Sequence, residues 1–242
     1  AGELVYGTDM QLPGMLHARL VLSPHAHARI LAVDASRALA LKGVVGVYWH
    51  AHAPTTTYCR YRILPGQDGC VDDETLFAAT ARCVGDRVAA VLATTAEVAH
   101  QAARLVQVQY QVLPASLDAD AALAEGAMPI HAQGNLLHAF DHQSAPVDAY
   151  TPAADDTQVQ TTVHTQMLHH AAIEPHMCLA SCDATGKLRI WSPCQSVYGA
   201  RTVVADLFGL PYHKVRVIKA PMGGSFGGKQ EFIIEPVTAF LA

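Results

Sequence analysis

The chain has 242 residues, enough for one large domain or two small ones. Hydrophobic residues make up 51% and charged residues 15%, so a core forms readily, and a net charge of -5 argues against a nucleic-acid face. No uninterrupted apolar stretch is long enough to cross a bilayer, and the opening AGELVYGTDM lacks the basic-then-apolar order of a signal peptide.

Leu16 to Leu22 and His27 to Val33 read as strands around a turn at Ser23-Pro24. Ser36 to Leu41 reads as a short helix stopped by Gly43, and Val44 to Trp49 as another strand. Residues 51 to 80, with Pro54, Pro65, Gly66 and Gly69, read as a long loop. Asp86 to Thr94 is apolar enough for a buried strand. A helix from about Thr95 to Leu105 follows, with Thr94 and Glu97 at capping-box spacing. Val106 to Val112 alternates with glutamines, the period of a half-buried strand. Together these predict an α+β domain over residues 1–114.

Residues 115–156 turn polar and carry a short helix (Leu117 to Leu123) with Gly134, Pro146 and Pro152; they read as a connector. A second pattern, 157–242, opens with a loose alternation from Gln158 to Met167. Met177 to Cys182 is strand-like, and Asp183 to Gly186 turns into a strand at Leu188 to Trp191. Ser196 to Phe208 reads as a helix with Val197, Ala200, Val204, Leu207 and Phe208 on one face, ended by Gly209 and Pro211. Lys214 to Ala220 reads as a strand, and Glu231 to Ala242 as a helix kinked or started at Pro236. The pattern stops inside an apolar run, as in a piece of a longer protein.

Six cysteines lie scattered with no C-x-x-C pair, which points to a reducing compartment such as the cytoplasm. His164, His169, His170 and His176 cluster without the H-x-x-x-H spacing that sets two imidazoles on one helix face. Packing roles fit them better than zinc ligation.

The stretch PMGGSFGGKQE carries the chemistry. Gly223 to Lys229 matches the phosphate-loop template G-x-x-x-x-G-K, but Gln230 stands where that template needs a Ser or Thr hydroxyl for Mg²⁺. Glycines nonetheless let backbone N–H groups converge on an anion. Gln195 sits just ahead of the helix at 196, near the positive end of its dipole, with an amide that donates without bringing charge.

YGTDMQLPGMLHARLVLSPHAHARI, IEPHMCLA and WSPCQSVYGARTVVADLFGLPYHKVRVIKAPMGGSFGGKQE occur in this order. The series resembles the molybdenum-binding large subunit of the xanthine dehydrogenase and aldehyde oxidase family. The resemblance implies a hammerhead-like α+β domain followed by the truncated start of a molybdopterin-binding α+β domain. It implies a molybdenum–molybdopterin cofactor, with iron–sulfur clusters and FAD on other domains or subunits, since no cluster motif occurs here. The substrate would be an N-heterocycle, such as hypoxanthine or xanthine, or an aldehyde. The other partner would be the rest of the molybdopterin-binding domain, with no role for nucleic acid or membrane.

By the same resemblance Gln195, Gly224, Ser225, Phe226 and Gly227 would bind the cofactor, Gln195 and Phe226 facing its metal. Phe226 and Gln230 would meet the substrate. Glu174, in the Glu-Pro motif, is read as structural. Gln230 replaces the glutamate common in xanthine-oxidising members, which puts xanthine itself in doubt. The catalytic base is a glutamate expected beyond Ala242, so none of these residues takes that role and this stretch alone should be inactive. Two other readings stand beside this one: a nucleotide-binding enzyme using Gly223–Lys229, and a non-catalytic α+β interaction module.

Overall fold

The computed structural model describes residues 2–242 except 65, 66, 68, 143–150, 152, 154 and 158. Pro65, Gly66, Pro146, Pro152 and Gln158 therefore lie outside the described residues. The architecture is α+β. In chain order the elements begin with β1 (His17–Leu22), β2 (Ala28–Asp34), α1 (Ser36–Leu39), β3 (Val44–Trp49), β4 (Thr80–Ala81) and β5 (Arg87–Ala93). They continue with α2 (Ala96–Ala103), β6 (Gln107–Val112), α3 (Ala119–Leu123), β7 (Leu179–Cys182) and β8 (Leu188–Ser192). The last are α4 (Val197–Phe208), β9 (Val215–Lys219) and α5 (Glu235–Leu241).

The first two strands do not form the hairpin expected around Ser23-Pro24. β1 pairs with β5, and β2 pairs with β4 and β6, so the two lie in different antiparallel sheets ordered β1-β5-β3 and β4-β2-β6. The reason lies in β5. From Val88 to Ala93 it is apolar and buried on both faces, so it takes the central place and needs a neighbour on each edge. A period-two pattern states which face a residue takes but not which strand it pairs with.

Helix α2 packs on β1 and β5. Its N-cap is Thr95, whose hydroxyl accepts from the Val98 amide at 3.2 Å, one residue past the Thr94 of the expected capping box. Ala38, Val47, Val91, Ala102 and Val106 fill the layer between helices and sheet.

The later region is built on a third sheet, ordered β7-β8-β9. β7 runs antiparallel to β8, and β9 runs parallel to it. A parallel neighbour requires a crossover, which α4 supplies. Ser196 caps α4 through the Gly199 amide at 3.1 Å, and Gly209 ends it in the left-handed region at φ 61°. Burial of α4 is wider than the single face expected: Gly199, Thr202, Val203 and Ala205 are also buried. One side meets the sheet at Leu188, Ile190 and Val215. The other meets Tyr58, Leu76, Phe77 and Ala90 of the first region, with Phe232 and Val237.

Arg87 reinforces that junction. Its guanidinium donates to the carbonyls of Leu76, Thr75 and Ile233, to the Tyr58 hydroxyl and to Glu74. All three guanidinium nitrogens thereby find acceptors, in a place where the Arg87 side chain is only 9% exposed. Burial pushes the Tyr58 phenol up to about 12, with Arg87 pulling the other way.

One expectation fails at the element level. The alternation expected from residue 158 to Met167 forms no strand: the described part of that segment is exposed and outside any sheet. Of the two arrangements expected for the last helix, it is the start at Pro236 that forms: α5 begins at Glu235 with Pro236 in its first turn, where a missing N–H costs nothing.

Glu235 is itself informative. Its Oε1 accepts from the Ser192 hydroxyl at 2.6 Å, while Oε2 is buried without a partner. Burial raises its carboxyl above the usual range, outweighing the hydrogen bonds from Ser192 and the backbone, which lower it. A raised folded value means that folding favours the protonated form. Its contribution is full below the ordinary carboxylate range and is lost as pH rises through the folded value. Glu235→Gln is therefore expected to flatten the pH dependence of thermal stability in the full-length protein. The variant should melt higher than wild type near neutral pH, with the gap closing in acid. Parallel melting curves across that range would contradict the assignment.

Candidate functional site

The glycine loop leaves β9 at Lys219 and runs to α5. It is held from below by a buried ion pair. Lys229 Nζ lies 2.5 Å from Glu174 Oε2, and the two side chains are 4% and 7% exposed. The same carboxylate oxygen accepts the Gly223 amide at 2.9 Å, while the Glu174 amide donates to the Gly223 carbonyl at 3.2 Å. Glu174 thus ties both ends of Gly223–Lys229 to one point. This placement disposes of the nucleotide reading, because a phosphate-loop lysine must reach the phosphates and this one is sequestered.

Residues 170–174 lie against the loop. A Cβ at Gly228 would stand 2.9 Å from His170 Nδ1, and one at Gly223 would stand 2.7 Å from the Glu174 Cβ. Sequence reasoning missed this support. The only available signal was the Glu-Pro motif, and its partner is 49 residues away.

The upper surface of the loop differs. Among the described residues, the amides of Gly224, Ser225, Phe226 and Gly227 donate to nothing. Gly224 has φ 103° and Gly227 φ 91°, conformations that only glycine takes cheaply. Between them Phe226 is also left-handed, at φ 53°, and its side chain is 75% exposed. A left-handed non-glycine residue costs about 1–2 kcal/mol. An exposed aromatic ring recovers none of that, so the conformation serves something other than this chain's own packing.

Gln195 stands beside the loop. Its amide donates to the Lys229 carbonyl at 2.8 Å, and its Oε1 accepts from the Ser225 hydroxyl at 2.6 Å. The preceding carbonyl, of Cys194, accepts from Lys219 Nζ. Among the described residues the Gln195 carboxamide NH₂ has no acceptor, and the residue is exposed. The structure therefore brings Gln195 and Gly224–Gly227 together. Gln230 is exposed at the far end of the loop, where its backbone donates to the Gly227 carbonyl at 3.1 Å. Among the described residues it makes no hydrogen bond to Gln195.

The donor set decides what can fit. Among the described residues, the loop carries four amides without acceptors and Gln195 a carboxamide NH₂ without one. Among the described residues no group of three or more His, Cys, Asp or Glu could hold a metal ion, the histidines of 164–176 included. Such a surface does not ligate a bare cation. It suits an anionic, oxygen-rich group.

Residues 1–114 match the family model described as the aldehyde oxidase and xanthine dehydrogenase a/b hammerhead domain. Residues 130–242 match the molybdopterin cofactor-binding domain. The chain belongs to the xanthine dehydrogenase and aldehyde oxidase family. A probable xanthine dehydrogenase subunit from Bacillus subtilis (strain 168) is 34% identical over all of this chain and 31% of its own length. The "Xanthine dehydrogenase molybdenum-binding subunit" of Escherichia coli O157:H7 is 34% identical over 99% of this chain and 32% of its own. The solved aldehyde oxidoreductase of Desulfovibrio gigas superposes with a TM-score of 0.84 at 28% identity, covering 100% of this chain and 27% of that one. The chain thus spans about a third of the curated relatives it matches. No helix among the described residues is long and apolar enough to cross a membrane.

Proposed function

We propose that the chain forms one wall of the molybdenum site in a hydroxylase of N-heterocycles or aldehydes. Residues 1–114 would be its hammerhead-like domain, 115–156 a connector and 157–242 the start of its molybdopterin-binding domain. Iron–sulfur clusters and FAD would lie on other domains or subunits. The enzyme would work in the cytoplasm, a setting in which the six free cysteines persist. The observation that carries the reading is the hydrogen bond joining Gln195 to Ser225, in a loop whose amides at Gly224, Ser225, Phe226 and Gly227 have no partner among the described residues.

When bound, the cofactor supplies the oxygen-transfer and electron-accepting chemistry. This chain's residues bind and orient. The amides of Gly224 to Gly227 and the Gln195 carboxamide donate to the cofactor's oxygens, adding partial positive charge without a counter-ion. Phe226 offers the face of its ring to a flat substrate. Gln230 both donates and accepts, and its neutrality favours uncharged heterocycles and aldehydes over anionic purines that share a proton with a carboxylate.

The full-length protein tests this. It should contain molybdenum and a pterin, and transfer ¹⁸O from water into product. Gln230→Glu should raise kcat/KM for hypoxanthine relative to a benzaldehyde by about tenfold, the worth of one charge-assisted hydrogen bond. Absence of molybdenum would sink the class, and an unchanged ratio would sink the role of Gln230.

A further inference from the structure

We propose that Ser225 is a positioning residue that fixes which end of the Gln195 carboxamide faces the cofactor. The inference rests on the molybdenum reading of the site. Three hydrogen bonds close a circuit. The Gln195 amide donates to the Lys229 carbonyl at 2.8 Å, the Lys229 amide donates to Ser225 Oγ at 3.1 Å, and Ser225 Oγ donates to Gln195 Oε1 at 2.6 Å.

The direction of the last bond follows from the others. A hydroxyl has one proton and two acceptor positions. A backbone amide can only donate, so the Lys229 N–H takes up one acceptor position of Ser225. Among the described residues the hydroxyl proton then has a single acceptor, Gln195. The 2.6 Å separation agrees, being the length of an O–H···O bond and short for an N–H···O bond. The carboxamide atom at Ser225 is therefore oxygen, and the nitrogen with both its protons is left for the exposed side.

The polarity is thus set two hydrogen bonds away, by the backbone of a buried residue. Lys229 is 3% exposed and Ser225 8%, so neither exchanges its partner for water. Without the hydroxyl, a carboxamide turns about its last torsion between two nearly isosteric states. In one of them it presents a carbonyl to an oxygen-rich group, which is repulsive.

The test uses the full-length, cofactor-loaded enzyme and the variants Ser225→Ala, Ser225→Thr and Gln195→Ala. Ser225→Ala should keep molybdenum content and KM while losing about tenfold in kcat, a part of the effect of deleting the donor itself. Its resonance Raman molybdenum–oxo band should split or broaden into two populations. Ser225→Thr keeps the hydroxyl and should restore a single band and wild-type kcat. A single wild-type band and kcat in Ser225→Ala would overturn the proposal. So would equal loss of molybdenum from the Ala and Thr variants, which makes side-chain size the cause. If Gln195→Ala moves the band and Ser225→Ala does not, this inference fails and the parent reading stands. If wild type carries no molybdenum, both fail.

Discussion

Lys229→Met is expected to destabilise the loop region of the full-length protein by about 3–5 kcal/mol, the usual cost of stranding one member of a buried ion pair. The Glu174 side chain is 7% exposed, and its Oε1 already lacks a partner. Without the ammonium, only the Gly223 amide faces the charge. Methionine matches the length of the lysine stem, so the loss is electrostatic rather than a cavity. Glu174→Gln alone should also destabilise, by leaving a buried ammonium without its counter-charge. The double variant Glu174→Gln/Lys229→Met should be more stable than the sum of the two, because it removes both charges. Chemical denaturation of the four proteins measures this cycle. Additive effects would mean that the pair is not coupled. Because Glu174 also holds Gly223, the single variants should lose molybdenum in proportion to their loss of loop order.

Gln195→Ala carries the largest expected effect on rate. Removing one preorganised donor from an electrostatic cradle costs about 10²–10³ in kcat. The fold should survive, since Gln195 is exposed and its backbone bond to Lys229 does not involve the side chain. KM should change little if the carboxamide acts on the cofactor rather than on substrate. An interaction module without chemistry at the loop would show no change in any oxidase activity of the full-length protein.

Much of this was legible in the sequence because local signals agreed with the fold. The apolar run at β5 declared a buried strand. Gly209 and Pro211 marked the end of α4, and the glycine loop announced a backbone with special dihedrals. What escaped was non-local. Ser23-Pro24 is good turn chemistry, yet β1 and β2 part into two sheets because β5 needs a flank. Lys229 fits a phosphate-binding template, yet it points into a carboxylate 55 positions earlier. The alternation before Met167 has the period of a strand, but its described residues are exposed and lie in no sheet. The polarity of Gln195 depends on a serine 30 residues on, which no spacing rule encodes.

On the proposed reading, the centre of this site is the Gln195 carboxamide donating a hydrogen bond to an oxygen of the cofactor. The molybdenum–oxo stretching frequency of the oxidised full-length enzyme reports that bond directly, because donation to an oxo group weakens it. Gln195→Ala, loaded with molybdenum to the wild-type level, should show the band at higher frequency. An identical frequency in the two proteins would mean that Gln195 does not touch the metal centre, and the loop would lose its assigned role.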